Sequence, residues 1–239
     1  MILAESFSKI RPAYISAAPN VKIPEVPITS RSFRLSLRPN AWNHTGHYLA
    51  PGKIGKVKSD IPCAIQIGSQ SLQLFLKEGP WKRYPVITHR VTIHPNEELE
   101  IASPFGGICY IISQLPVPGQ FTFTDFSFYP FYTYKQVDSC ESTKSYSEVG
   151  TGEISCKGIT FTMPYDEIMR IEDISKFCDL YGALLQNLNS HLYSKLVQPH
   201  RVVFEQDMPN DDAIYNEVMY LPLSSCSQLT DLSQLPNQH

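Results

Sequence analysis

The side chains best suited to metal chemistry in this sequence are its seven histidines. A zinc peptidase sets His-Glu-x-x-His on one helix face, so that two imidazoles bind metal and the carboxylate serves as base. No histidine here is followed by Glu, and the inverted His-x-x-Glu-His is absent as well. His44-Thr45-Gly46-His47 offers two imidazoles three residues apart. Gly46 and the strand-like flanks make this a turn rather than a helix, and residues three apart on a strand point to opposite faces. No Cys or carboxylate lies near enough in sequence to complete a ligand set, so the expectation is a structural or surface role. His89 and His94, with Glu97 and Glu98, read as a solvated edge, and His191 suits a helix C-terminus. Asp207, Asn210, Asp211 and Asp212 lack the alternating oxygens and closing Glu of a calcium loop, so they read as an exposed acidic loop. There is no Gly-x-Ser-x-Gly elbow, and no cysteine is paired by any signature with an activating histidine. The expectation is therefore no catalytic residue and no metal ligand in this chain.

The elements that would carry a site lean toward β structure. The 239 residues contain 13 Tyr, 12 Phe and 19 Pro, with short apolar runs divided by turn formers. A net charge of -3, with 20 basic residues scattered among 23 acidic ones, provides no footprint for nucleic acid. No window approaches a membrane span. The start, Met1-Ile-Leu-Ala-Glu-Ser-Phe, has no basic region before an apolar stretch, so it is not read as an export signal. The six cysteines contain no Cys-x-x-Cys pair and are expected as reduced thiols of a cytoplasmic protein, one that can sit at the periphery of the plasma membrane.

Periodicity divides the chain into four stretches. Residues 1–28, rich in proline, read as a linker or strap. Residues 29–134 read as a β-sandwich. Phe33, Leu35 and Leu37 alternate with polar neighbours. Cys63–Ile67 and Leu72–Leu76 are expected to pair as a hairpin about Gly68-Ser69-Gln70. Val91 with Ile93, Leu99 with Ile101, the apolar run Ile108–Ile112 and the Phe121–Phe128 stretch supply further strands. Residues 135–153 are polar and read as an exposed loop. Residues 154–239 read as an unfinished α/β segment: a strand about Ile159, a helix from about Asp173 to Leu192 with an apolar stripe from Ile174 to Leu188, and a strand at Arg201–Phe204.

Three segments then occur in a telling order: Trp42-Asn43-His44-Thr45-Gly46-His47-Tyr48 through Lys53, Gly79-Pro80-Trp81-Lys82-Arg83-Tyr84-Pro85, and Pro104-Phe105-Gly106-Gly107-Ile108-Cys109-Tyr110-Ile111. In this the chain resembles the N-terminal region of the enhancin-like metallopeptidases, the mucin-degrading family sixty. Animal members of that family include factors associated with a cold-sensing TRP melastatin channel. The resemblance covers residues 30 to 205. Arg201-Val202-Val203 fits a later family stretch, while Met219-Tyr220-Leu221-Pro222 stands where the family has Gly-Tyr-Pro. It implies a β-sandwich followed by the truncated start of a zincin-type catalytic domain, cut before the metal site, with zinc expected only in full-length relatives.

The expected function is that of a non-catalytic N-terminal portion or short form that binds a protein or a glycan. Two alternatives stand beside it: a regulator that binds a membrane protein such as an ion channel, and a piece of an active zinc peptidase whose His-Glu-x-x-His half lies elsewhere. The candidate ligand-binding residues are Trp42, Thr45, Tyr48, Trp81 and Arg83. For Trp42 and Trp81 two roles stay open, filling the sandwich core or forming an aromatic platform for sugar. Gly106 and Gly107 are expected to make a tight entry into a central strand.

Overall fold

The computed structural model describes residues 17–134, 144–191, 200–209, 214–215 and 218–231. The expectations for residues 1–16, Cys140, Asn210, Asp211 and Asp212, the start of the polar loop and the C-terminal tail lie outside the described residues. The chain divides into two compact units. The first comprises residues 1–71 and 87–129, and the second comprises residues 72–86 and 130–239.

The first unit is all β. Its strands are β1 (Thr29–Ser36), β2 (Asn43–Leu49), β3 (Ile54–Ser59), β4 (Cys63–Ile67), β5 (His89–Ile93), β6 (Glu98–Ala102), β7 (Gly107–Ile112) and β8 (Pro118–Phe128). They run β5-β4-β7-β2-β8-β3-β6, and β1 also pairs with β8. The eleven-residue β8 is the shared member of this β-sandwich. Its first part pairs with β1 and β3, and its end pairs with β2 through His47↔Phe128 and Tyr48↔Ser127. Alternation sends Leu49, Val57, Ile65, Ile67, Ile93, Phe121 and Phe123 into one apolar core. The glycine pair behaves as expected. Gly107 has φ +141°, and a Cβ there would sit 2.7 Å from the Gly68 backbone. Only glycine permits that approach.

The expected hairpin of Cys63–Ile67 with Leu72–Leu76 does not form. The partner of β4 is β5, with Ile67 opposite His89. Leu74 is buried, but Leu76 is fully exposed, so the alternating leucines do not mark a strand face. Instead residues 72–86 leave the first unit and become an arm of the second.

In the second unit, β9 (Phe131–Thr133), β10 (Thr151–Ser155), β11 (Ile159–Pro164), β12 (His200–Glu205), β13 (Ile214–Tyr215) and β14 (Met219–Pro222) form one sheet. Its order is β13-β14-β12-β11-β10-β9. Between β11 and its parallel neighbour β12 lie α1 (Tyr165–Met169) and α2 (Ile174–His191), giving the β-α-β crossover that periodicity indicates. A short helix, α3 (Cys226–Thr230), follows β14. The α2 N-terminus is capped as expected, since the Asp173 side chain accepts from the Lys176 backbone N–H at 2.9 Å. Phe177, Cys178 and Leu185 are buried, whereas Leu184 and Leu188 are exposed, so the stripe is narrower than its sequence. Among the described residues no helix is long and apolar enough to cross a membrane.

Two further differences from expectation concern polar residues. Strand β10, Thr151–Ser155, begins within the last three residues of the stretch read as an exposed loop, because the Glu153 carboxylate is buried against Arg201 rather than solvated. Cys156 and Cys178 are joined as a disulfide, in place of two of the six reduced thiols expected. Packing of α2 brings these residues, 22 positions apart, to a Cα–Cα distance of 4.7 Å, which no spacing motif announces.

Candidate functional site

In the first unit the motif residues of β2 build the core. Trp42 is buried, and its ring lies 5.2 Å from that of Tyr110. The Asn43 side-chain amide donates to the carbonyls of Arg38, Ala41 and Ile111, while its oxygen accepts from the Arg38 N–H at 2.9 Å. That accounts for a buried amide by hydrogen bonding alone. The Thr45 hydroxyl donates to the Cys109 carbonyl at 2.8 Å, and its oxygen accepts from the His47 N–H. Gly46, at φ +76°, turns the strand between these two side chains. Tyr48 is buried, and burial pushes its phenol above the usual range.

His47, expected in a structural or surface role, is fully buried. Its ring stacks between Phe33 and Phe123 at 5.4 and 4.8 Å, with Phe128 at 5.3 Å. Nδ1 lies 2.8 Å from the Thr45 carbonyl and donates to it, while Nε2 has no hydrogen-bond partner. Desolvation drives its pKa down to about 4, with the Thr45 bond opposing the shift and the Arg31 charge adding to it. The imidazole is therefore neutral at physiological pH and held by aromatic faces.

In the second unit, Trp81 and Arg83 share the arm of residues 72–86, and there the chemistry is charged. Arg83 grips Glu205 at the end of β12 with both prongs, Nε to Oε1 and Nη2 to Oε2, each at 2.9 Å. The same guanidinium donates to the carbonyls of Leu72 and Tyr84 at 2.8 Å. Burial raises the Glu205 carboxyl above its usual range, and the guanidinium opposes that. Asp207 makes a second anchor. It takes the Lys77 ammonium at 2.7 Å on Oδ1 and the Lys82 backbone N–H at 2.6 Å on Oδ2.

This double clamp holds out an apolar surface. Trp81 is 43% exposed, yet its ring N–H donates to the Lys77 carbonyl at 2.8 Å, so the indole is fixed with its edge satisfied. Tyr84, Phe75, Leu76 and Val86 on the same arm are exposed too. Sequence reasoning missed Glu205 and read Asp207 as part of an exposed acidic loop. No local signal reveals either role, because their partners lie more than 120 residues away. Deeper in the sheet a second buried ion pair joins Arg201 to Glu153, and the Thr162 hydroxyl donates to that carboxylate at 2.8 Å. Among the described residues no three His, Cys, Asp or Glu side chains gather as a metal site.

The family described as the N-terminal domain of M60-like peptidases matches residues 25–118. Residues 25–118 are thus similar to an M60-like N-terminal domain. The matched stretch includes Trp42 and β2, the Gly106-Gly107 entry and the whole arm. Solved structures of M60-type peptidases share the fold at low identity. The IMPa metallopeptidase of Pseudomonas aeruginosa is 12% identical with a TM-score of 0.66, covering 84% of this chain and 29% of its own. IMPa in complex with T-antigen is 11% identical with a TM-score of 0.67, over 87% of this chain and 30% of that one. ZmpB of Clostridium perfringens is 12% identical with a TM-score of 0.61, over 84% and 50%. The chain thus spans 29% to 50% of the length of these structures. No curated protein matches it.

Proposed function

We propose that this chain is a non-catalytic binding module for an O-glycosylated protein, and that the clamped arm makes the contact through the exposed face of Trp81. The supporting observation is the rigidity of that exposure. An indole pinned by its own N–H and by two ion-paired anchors offers a flat π-face at little ordering cost. Sugar C–H groups suit such a face, and exposed Tyr84 and Lys82 add polar contacts beside it. Structures of IMPa in complex with T-antigen and with an O-glycopeptide support the ligand class. Trp42, Thr45 and Tyr48, the other candidates, act in this reading through the core of the first unit.

The test is a titration of the full chain with a peptide carrying the T-antigen disaccharide and with the same peptide unglycosylated. Binding should require the sugar, and Trp81→Ala should weaken it about tenfold or more while leaving the fold intact, in line with ~1.4 kcal/mol per decade. Equal binding of the bare peptide, or an unchanged affinity in the variant, overturns the proposal. A second reading, as the front of a longer zinc peptidase, is favoured by the share of the neighbours' length that the chain covers. A His-Glu-x-x-His in the same reading frame downstream would support it.

A further inference from the structure

The turn between β10 and β11 and the first half of α2 are joined at neighbouring positions. Cys156 is bonded to Cys178, and next to this pair the Lys157 ammonium meets Asp179 at 3.4 Å. One helical turn further on, a Cβ at Gly182 would stand 3.4 Å from the Lys157 Cβ, so helix and turn lie in close contact here. The ion pair is more than half exposed on both sides, and such pairs contribute little. The covalent bond is the part of this junction that can fix the helix. It belongs to the core: Cys178 is fully buried, Cys156 is 8% exposed, and Phe161, Phe177 and Ile154 belong to the same cluster. The remaining described cysteines, Cys63, Cys109 and Cys226, are buried thiols. Desolvation pushes Cys63 to about 11 and Cys226 to about 12, which leaves them poor nucleophiles.

We infer that Cys156 and Cys178 form a latch, closed by oxidation while the second unit folds, that fastens α2 to the β10–β11 turn, and that no other described cysteine takes part. The step needs an oxidant such as a low-molecular-weight disulfide. The thiolate of one cysteine attacks it and releases one small thiolate, which takes up a proton. The second cysteine then attacks the mixed disulfide and expels the other. Two electrons pass from the cysteine pair to the oxidant, and the two cysteine protons end on the two small thiols. Once α2 has packed over the bond, small reductants have little access to it. The latch is therefore set during folding and held afterwards, not toggled in the native protein.

Differential alkylation of the full chain tests this directly. Protein folded with a glutathione-type disulfide is unfolded in guanidinium with iodoacetamide and no reductant, and its peptides are mapped. Cys63, Cys109 and Cys226 should be labelled, while Cys156 and Cys178 should be labelled only after reduction. Labelling of both, or a bond from either to another cysteine, overturns the inference. In the native state dithiothreitol should open the bond at least tenfold more slowly than in denaturant; equal rates overturn the buried latch. The double variant C156S/C178S should melt about 5–10 °C lower in the second unit's transition and show no further response to reductant. An unchanged melting temperature overturns the fastening role. Should the variant fail to fold, alkylation of the parent chain still decides the pairing.

Discussion

The two units bury polar groups in opposite ways. In the first, the interior is apolar and aromatic, and its inward polar side chains are neutral: Asn43 and Thr45 are satisfied by backbone, and His47 is uncharged among phenylalanine rings. In the second, full charges are buried in pairs, Arg83 with Glu205 and Arg201 with Glu153. The difference sets what each unit can tolerate. A neutral interior is vulnerable to whatever puts a charge into it. A paired interior is vulnerable to whatever removes one member and strands the other.

The largest effect should come from stranding a charge. Arg83→Ala leaves the Glu205 carboxylate buried without its partner and should cost about 3–5 kcal/mol in the second unit. It should also release the arm from one of its two anchors. Denaturant unfolding followed separately in the two units checks this, and equal loss in both would break the contrast. Next comes acid. The folded pKa of His47 lies below the unfolded value, so its neutral form stabilises the fold fully above pH 6.5. That stability is lost as pH falls from 6.5 toward about 4, to a total of roughly 3 kcal/mol. His47→Phe should remove this acid step from the first unit's stability profile; a variant that keeps the step points to another group. The smallest effect is on the rim of α2. Leu184→Asp should change stability by less than about 0.5 kcal/mol, since that side chain is exposed. Leu185→Asp, one residue on and buried, should cost several-fold more. Matching losses would mean that both leucines contact the core.

Much of this fold is legible in the sequence wherever one face of an element is buried. The alternation in Phe33–Leu37, the apolar run Ile108–Ile112 and the 3.6-residue spacing of Ile174, Phe177 and Cys178 each report a local geometry that solvent exclusion imposes. The arm was not legible. Leu72, Leu74 and Leu76 alternate like a strand, but Leu76 stays in water because its segment is held by Arg83 and Lys77, not by a ladder of backbone bonds. Ion pairs reach across any sequence distance and leave no period behind them. For the same reason Glu153 looked like a loop residue. Trp81 was nameable from its motif, but that it would be the exposed member of the tryptophan pair depended on which ring found a neighbour such as Tyr110.

The route of the chain through the arm has a consequence for dissecting the protein. Between β4 and β5, which pair as neighbours in one unit, the polypeptide departs at Leu72 and returns after Val86, contributing those residues to the other. The C-terminal unit is therefore not encoded by one continuous stretch. A fragment begun at Pro130, the natural cut on a linear map, would carry Glu205 and Asp207 but neither Arg83 nor Lys77. It would inherit two acids whose counterions remain on the discarded piece. Supplying residues 72–86 in trans, as a separate peptide, is then the minimal complement, and autonomy of the C-terminal piece becomes a matter of stoichiometry rather than of boundary choice.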